Sequence, residues 1–106
     1  MLVIIESPYM GLVKTNLSYA RKCMLDSLMR GESPFASHLL YTQVLDDTIA
    51  EQRAMGLQRA FNWYECAELM AVYTDLGITA GMKLGVKKAK ELSIDIEYRT
   101  LNGNNS

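Results

Sequence analysis

The sequence predicts a small doubly wound α/β domain built on a parallel four-stranded sheet. Two observations carry that expectation. Strand-like and helix-like runs alternate as strand–helix three times, followed by one last strand. That order demands right-handed crossovers between parallel strands. Two of the runs, Leu2 to Ile5 and Leu69 to Tyr73, are apolar throughout, as strands covered on both faces are. The expected strand order is 2-1-3-4, with helices on both faces and a switch point between the first and third strands.

The first strand, residues 2–5, ends at Glu6, Ser7 and Pro8, and a loop with Tyr9 and Gly11 follows. Asn16 is a plausible N-cap. Leu17, Ala20, Met24 and Leu28 then recur at helical spacing, with Lys22 placed to pair with Asp26. Gly31, Ser33 and Pro34 stop this helix. His38 to Tyr41 reads as a short second strand. Thr48 and Glu51 form a capping-box pattern, and Ala50, Ala54, Leu57, Phe61 and Tyr64 give an amphipathic second helix. Met55 and Trp63 fall outside its narrowest stripe and either widen the core face or suit a subunit interface. Residues 69–73 are the third strand, Thr79 caps the third helix, and the alternating run 94–98 is an edge strand.

With 106 residues and 49% apolar content, the chain has the material for one core. It is expected to form one domain over 1–101 with a flexible Asn- and Gly-rich tail over 102–106. A net charge of −1 without a basic block disfavours an extended nucleic-acid partner. The opening MLVIIESP has no basic start and only four consecutive apolar residues after Met1, so neither a signal peptide nor a membrane span is expected. Cys23 and Cys66 lack metal-ligand spacing and are expected to be free thiols in the cytoplasm. The single histidine, His38, excludes a multi-histidine metal site. No cofactor is indicated.

The predicted order brings a ligand crevice together. Glu6 to Gly11 and Asp75 to Gly81 face each other across the switch point, Tyr41 and Thr42 approach from the second strand, and Tyr98 and Arg99 from the fourth. A loop running into a helix N-terminus offers free N–H groups to an anion or sugar phosphate. Gly81 and Gly85, one turn apart, either admit a ligand or serve helix–sheet packing. Lys83 either marks a phosphate site or continues the solvent stripe of Lys87 and Lys90. Glu6 and Asp75 either take a ribose hydroxyl or tie down their own loops. The expected ligand-binding set is Glu6, Ser7, Tyr9, Tyr41, Thr42, Asp75, Gly77, Thr79, Gly81, Lys83 and Arg99.

Three strings carry a family resemblance: PFASHLLYTQVLDDTIAEQRAMG (Pro34 to Gly56), AVYTDLGITAGMKLGVKKAKEL (Ala71 to Leu92) and IEYRTL (Ile96 to Leu101). They resemble a family of small phage and bacterial proteins related to the nucleoside 2-deoxyribosyltransferases. The resemblance implies a Rossmann-like domain, often oligomeric, holding a nucleoside or nucleotide at the strand ends. In the transferases a glutamate of the GM-x-LG string attacks the sugar C1′, and in related small domains the acid comes slightly later. Lys83 and Gly85 stand at those positions here, and neither supplies a carboxylate nucleophile.

The expected function is non-catalytic binding of a nucleotide-derived ligand by a homo-oligomer. One form is a phage sponge that sequesters a cyclic nucleotide or ADP-ribose-type immune signal. The alternatives are an enzyme acting on N-glycosidic or phosphodiester bonds through Glu6 or Asp75, and a structural or protein-binding domain.

Overall fold

The computed structural model describes residues 1–9 and 11–101. The segment 102–106, expected to be a flexible tail, lies outside the described residues. Strand β1 (Leu2–Glu6) leads to helix α1 (Val13–Met29) and the short strand β2 (Ser33–Phe35). Two 3₁₀ turns, Ser37–Leu39 and Tyr41–Gln43, precede helix α2 (Ala50–Tyr64). Strand β3 (Leu69–Tyr73), helix α3 (Ala80–Glu91) and strand β4 (Asp95–Arg99) complete the order. The four strands are parallel and lie in the order β2-β1-β3-β4, as expected.

The period of two along each strand divides the apolar residues between two cores. Val3, Ile5, Ala71 and Tyr73 face α1, where they pack with Tyr19 and Cys23. Ile4, Met70 and Val72 face the other way and pack with Tyr64 of α2 and Met82, Val86 and Ala89 of α3. Both central strands are therefore apolar at every position up to the sheet's carboxyl edge. Helices cover both faces of the sheet, which is a Rossmann-like arrangement.

The second strand is not at 38–41. Gly31, at φ +85°, turns the chain straight out of α1, and the Ser33 N–H bonds Met1 O at 2.8 Å. Residues 33–35 consequently enter the sheet, with Pro34 opposite Val3 at an edge, a position that tolerates proline. The HLLY run instead winds through the two 3₁₀ turns, with Leu39 N–H on Ala36 O and Leu40 N–H on Ser37 O.

Two caps also differ. Helix α1 begins three residues before Asn16, whose side-chain amide donates to Tyr9 O at 2.9 Å and pins the loop after β1. Its buried face runs through Tyr19, Cys23 and Ser27 rather than Leu17 and Leu28, because Tyr19 and Ser27 find acceptors in Asp75 and Glu32. Asp26 pairs with Arg30, not Lys22, and accepts a hydrogen bond from the Tyr73 hydroxyl. Thr48 does not cap α2; its hydroxyl and N–H both donate to Asp46, and the helix starts after Ile49. Thr79 caps α3 as expected, its hydroxyl accepting from Met82 N–H at 3.2 Å.

Candidate functional site

A cavity of about 240 Å³ opens where β1 ends, between the 3₁₀ turns, α2 and the N-terminal half of α3. Its volume lies just under the roughly 300–1,000 Å³ usual for small-molecule sites. The wall from α2 is a stripe of Gln52, Gly56, Ala60 and Tyr64, four residues apart at each step. A Cβ at Gly56 would lie 3.3 Å from Leu45 Cδ1, so this glycine lets Leu45 pack closely against α2.

The floor comes from Glu6 and Ser7. Main-chain pairing of Glu6 with Val72 fixes the end of β1, so Glu6 is set by the strand and Ser7 follows directly after it. The Glu6 carboxyl is buried and accepts a hydrogen bond from the Tyr64 hydroxyl at 3.2 Å. Burial pushes its pKa up to about 8, against a smaller lowering by the Tyr64 bond. Glu6 therefore carries its proton at neutral pH. Gly85 of α3 makes room for it: a Cβ there would lie 2.7 Å from the Glu6 Cδ, inside contact distance. Ser7 is 1% exposed, and its hydroxyl has no hydrogen-bond partner among the described residues.

An aromatic pair forms one side. The His38 and Tyr9 rings stack at 5.2 Å with an interplanar angle of 20°. His38 Nε2 donates to Ser7 O at 2.8 Å, which fixes the tautomer because a carbonyl oxygen only accepts. Burial holds the His38 pKa below its usual value, which favours the neutral ring. Thr42 donates to His38 O, and Trp63 Nε1 donates to the Tyr41 hydroxyl at 2.8 Å. The opposite rim is Thr79, Ala80 and Gly81, the first turn of α3. A Cβ at Gly81 would touch only Thr79 Oγ1, at 3.9 Å, so this glycine faces open space.

Of the residues singled out in the sequence, Glu6, Ser7, Tyr9, Tyr41, Thr42, Thr79 and Gly81 line the cavity together. Asp75, Gly77, Lys83 and Arg99 do not. Asp75 lies on the α1 side of the sheet and accepts from the Tyr19 hydroxyl at 2.6 Å and from Leu101 N–H at 2.9 Å. Gly77 serves a turn at φ +89°, its N–H on Thr74 O. Lys83 is exposed on α3. Arg99 is buried in ion pairs with Glu32 and Glu97. The α2 stripe and His38 were not anticipated as cavity walls. The helical spacing of Gln52, Gly56, Ala60 and Tyr64 was the available signal. His38 was hidden by its assignment to a strand. No cluster of metal-ligating side chains occurs among the described residues. No helix among them is long and apolar enough to cross a membrane.

Comparison with known proteins places the fold. The chain superposes on a 2-deoxyribosyltransferase from the psychrotolerant bacterium Bacillus psychrosaccharolyticus with a TM-score of 0.69. The match covers 98% of this chain and 75% of the other at 13% identity, which shows a shared fold. No curated protein matches the chain in sequence. A family model described as "Domain of unknown function (DUF7768)" matches residues 1–99, and the chain belongs to that family.

Proposed function

We propose that this protein binds a nucleotide-derived small molecule in the cavity at the end of β1 and leaves it chemically unchanged. The observation that carries the reading is the Ser7 hydroxyl, buried without a partner in the wall of a cavity that also holds the Tyr9–His38 stack. A buried hydroxyl ordinarily has a partner, and here a ligand supplies it. The aromatic pair offers a face for a base. Ala80 and Gly81, at the start of α3, add first-turn N–H groups suited to an anionic group. The likeness in fold to a 2-deoxyribosyltransferase supports a nucleoside-type ligand, and residues 83 and 85 of α3 offer no carboxylate for a covalent step.

The finer form of the reading is a phage-encoded sponge that withdraws a cyclic nucleotide or ADP-ribose-type signal in the host cytoplasm, where Cys23 and Cys66 stay unpaired. The ligand-binding residues in this reading are Glu6, Ser7, Tyr9, Tyr41, Thr42, Thr79 and Gly81. A second copy of the chain completes the enclosure, because the cavity alone is small for such ligands.

One observation favours a second reading. The Glu6 carboxyl lines the cavity in its protonated form, the state that a general acid for N-glycosidic cleavage requires. Incubation with nucleosides, nucleotides, NAD and cyclic ADP-ribose, followed by denaturation and chromatography, separates the two. Intact recovery supports the binder. Release of free base supports the enzyme and overturns the binder.

A further inference from the structure

Glu6 is the least expected group in the cavity. Placing a carboxyl there costs solvation, and no lysine or arginine pairs with it among the described residues. Tyr64 supplies a single donor, to Oε2. No second side-chain partner of the carboxyl is seen among the described residues, which leaves it capacity for a further hydrogen bond. Ser7, the residue that follows β1, lines the same cavity and has a buried, unpartnered hydroxyl. The chain also gives up a side chain at position 85 to accommodate the carboxyl. Two adjacent residues at one strand end thus bring hydrogen-bonding groups to the cavity, and the facing helix lacks a side chain where the carboxyl sits.

We propose that Glu6 and Ser7 are the ligand-selecting groups of this cavity, that they receive an uncharged part of the ligand such as a nucleobase edge or sugar hydroxyl, and that Gly85 exists here to seat the Glu6 carboxyl. The proposal rests on the cavity's being a nucleotide-ligand site. A neutral carboxyl is both donor and acceptor, and so it complements the donor–acceptor edge of a base or a hydroxyl. It is a poor neighbour for phosphate, since an anion beside it would drive a second charge into a desolvated pocket. The phosphate of a ligand therefore lies at the mouth, near the first turn of α3 and Arg53, which also lines the cavity. Selection of this kind is lost when Glu6 gives up its proton, above about pH 8.

Other titratable groups facing the cavity are Tyr9, His38 and Tyr41, Asp47 from the following loop, and Arg53 and Tyr64 from α2; α3 contributes none. His38 is already neutral above its lowered pKa, and burial with the neighbouring Glu6 pushes the Tyr64 hydroxyl further from ionisation.

The test is titration calorimetry with adenosine, thymidine and their 5′-monophosphates, from about pH 6 to about pH 9. It uses the wild type, Glu6→Gln, Ser7→Ala and Gly85→Ala. Wild type is expected to bind the nucleosides with affinity falling up to about tenfold per pH unit beyond the Glu6 transition. Glu6→Gln removes that pH dependence and lowers affinity; Ser7→Ala and Gly85→Ala each lower it roughly tenfold. Carbon-13 NMR of the Glu6 carboxyl in the free protein reads the seat without any ligand. An ordinary titration near the usual glutamate value overturns the proposal. So does a pH-independent wild type, or a Glu6→Gln protein that binds as wild type does. In each of those cases binding itself survives, and with it the reading of the cavity. Should none of the four probes bind wild type, that reading falls and takes the proposal with it.

Discussion

The Arg99 guanidinium clasps the Glu32 carboxylate from the far edge of the sheet, Nη1 to Oε1 at 2.9 Å and Nη2 to Oε2 at 2.6 Å. The pair joins β4 to the turn after α1, two elements separated by most of the chain. Arg99 also reaches Glu97 and the Tyr73 hydroxyl, and its side chain is 2% exposed. This arginine braces the α1 face of the sheet, opposite the face that the cavity helices cover.

Glu32→Ala should destabilise the protein by about 3 kcal/mol, because it leaves a buried guanidinium short of its main partner. Arg99→Lys should cost nearly as much, since a lysine cannot reproduce the two-pronged contact. Chemical denaturation gives both numbers. The Arg99 bond holds the Glu32 pKa below its usual value. Its stabilisation is present above the ordinary carboxylate range and is lost as pH falls through the lowered value.

Glu6 acts on the other side of the scale. Its folded pKa, about 8, exceeds the ordinary 4.5, so the folded chain holds a proton that the unfolded chain releases. Its contribution is fully present below the ordinary value and declines as pH rises from about 4.5 to about 8. The limiting slope is about 1.4 kcal/mol per pH unit. Glu6→Gln should flatten this slope between pH 5 and pH 8, approximately the interval between the two values. Urea melts at several pH values measure it; an unchanged slope in the variant would show that another group is responsible.

Asp75→Ala should lower stability by roughly 1–3 kcal/mol, as it strips acceptors from the Tyr19 hydroxyl and the Leu101 N–H. Ligand affinity should stay within about twofold of wild type, since Asp75 lies across the sheet from the cavity. Thermal melts and calorimetry on one variant preparation check both halves.

Self-association should run through α2 and the turn before it. Val44 is 79% exposed and Met55 48%. Trp63 is half exposed but already stacks on Phe35 at 5.2 Å and donates to Tyr41, which leaves Val44 and Met55 the freer groups. Light scattering should report a dimer or larger, and Val44→Glu with Met55→Glu should convert it to monomer. A wild-type monomer at micromolar concentrations would end the idea.

The parts legible in the sequence were those whose physics is local or symmetrical about the sheet. Residues 2–5 and 69–73 are apolar throughout because both their faces are covered, and Thr79 sits at the one helix start where its hydroxyl bonds the backbone. The second strand was illegible for the opposite reasons. It has three residues, lies at an edge and includes Pro34, so no periodicity marks it; its place is set by pairing with residues 2–4. The end of β1 was correctly placed beside the start of α3, so half the cavity could be anticipated. The Glu6–Gly85 fit was not, since each residue looks ordinary in its own segment and only their packing gives both meaning.

The sheet's two margins have a bearing on how copies of the chain can meet. On one side, β2 is three residues long and includes a proline, which offers no N–H to an incoming strand. On the other, β4 alternates Asp95, Glu97 and Arg99 with Ile96 and Tyr98. Two such margins brought together antiparallel or parallel would align fixed charges and an interrupted ladder. Growth of the sheet into a continuous ribbon is thereby disfavoured, which leaves the helical surfaces as the expected place for copies to meet in a closed, countable number.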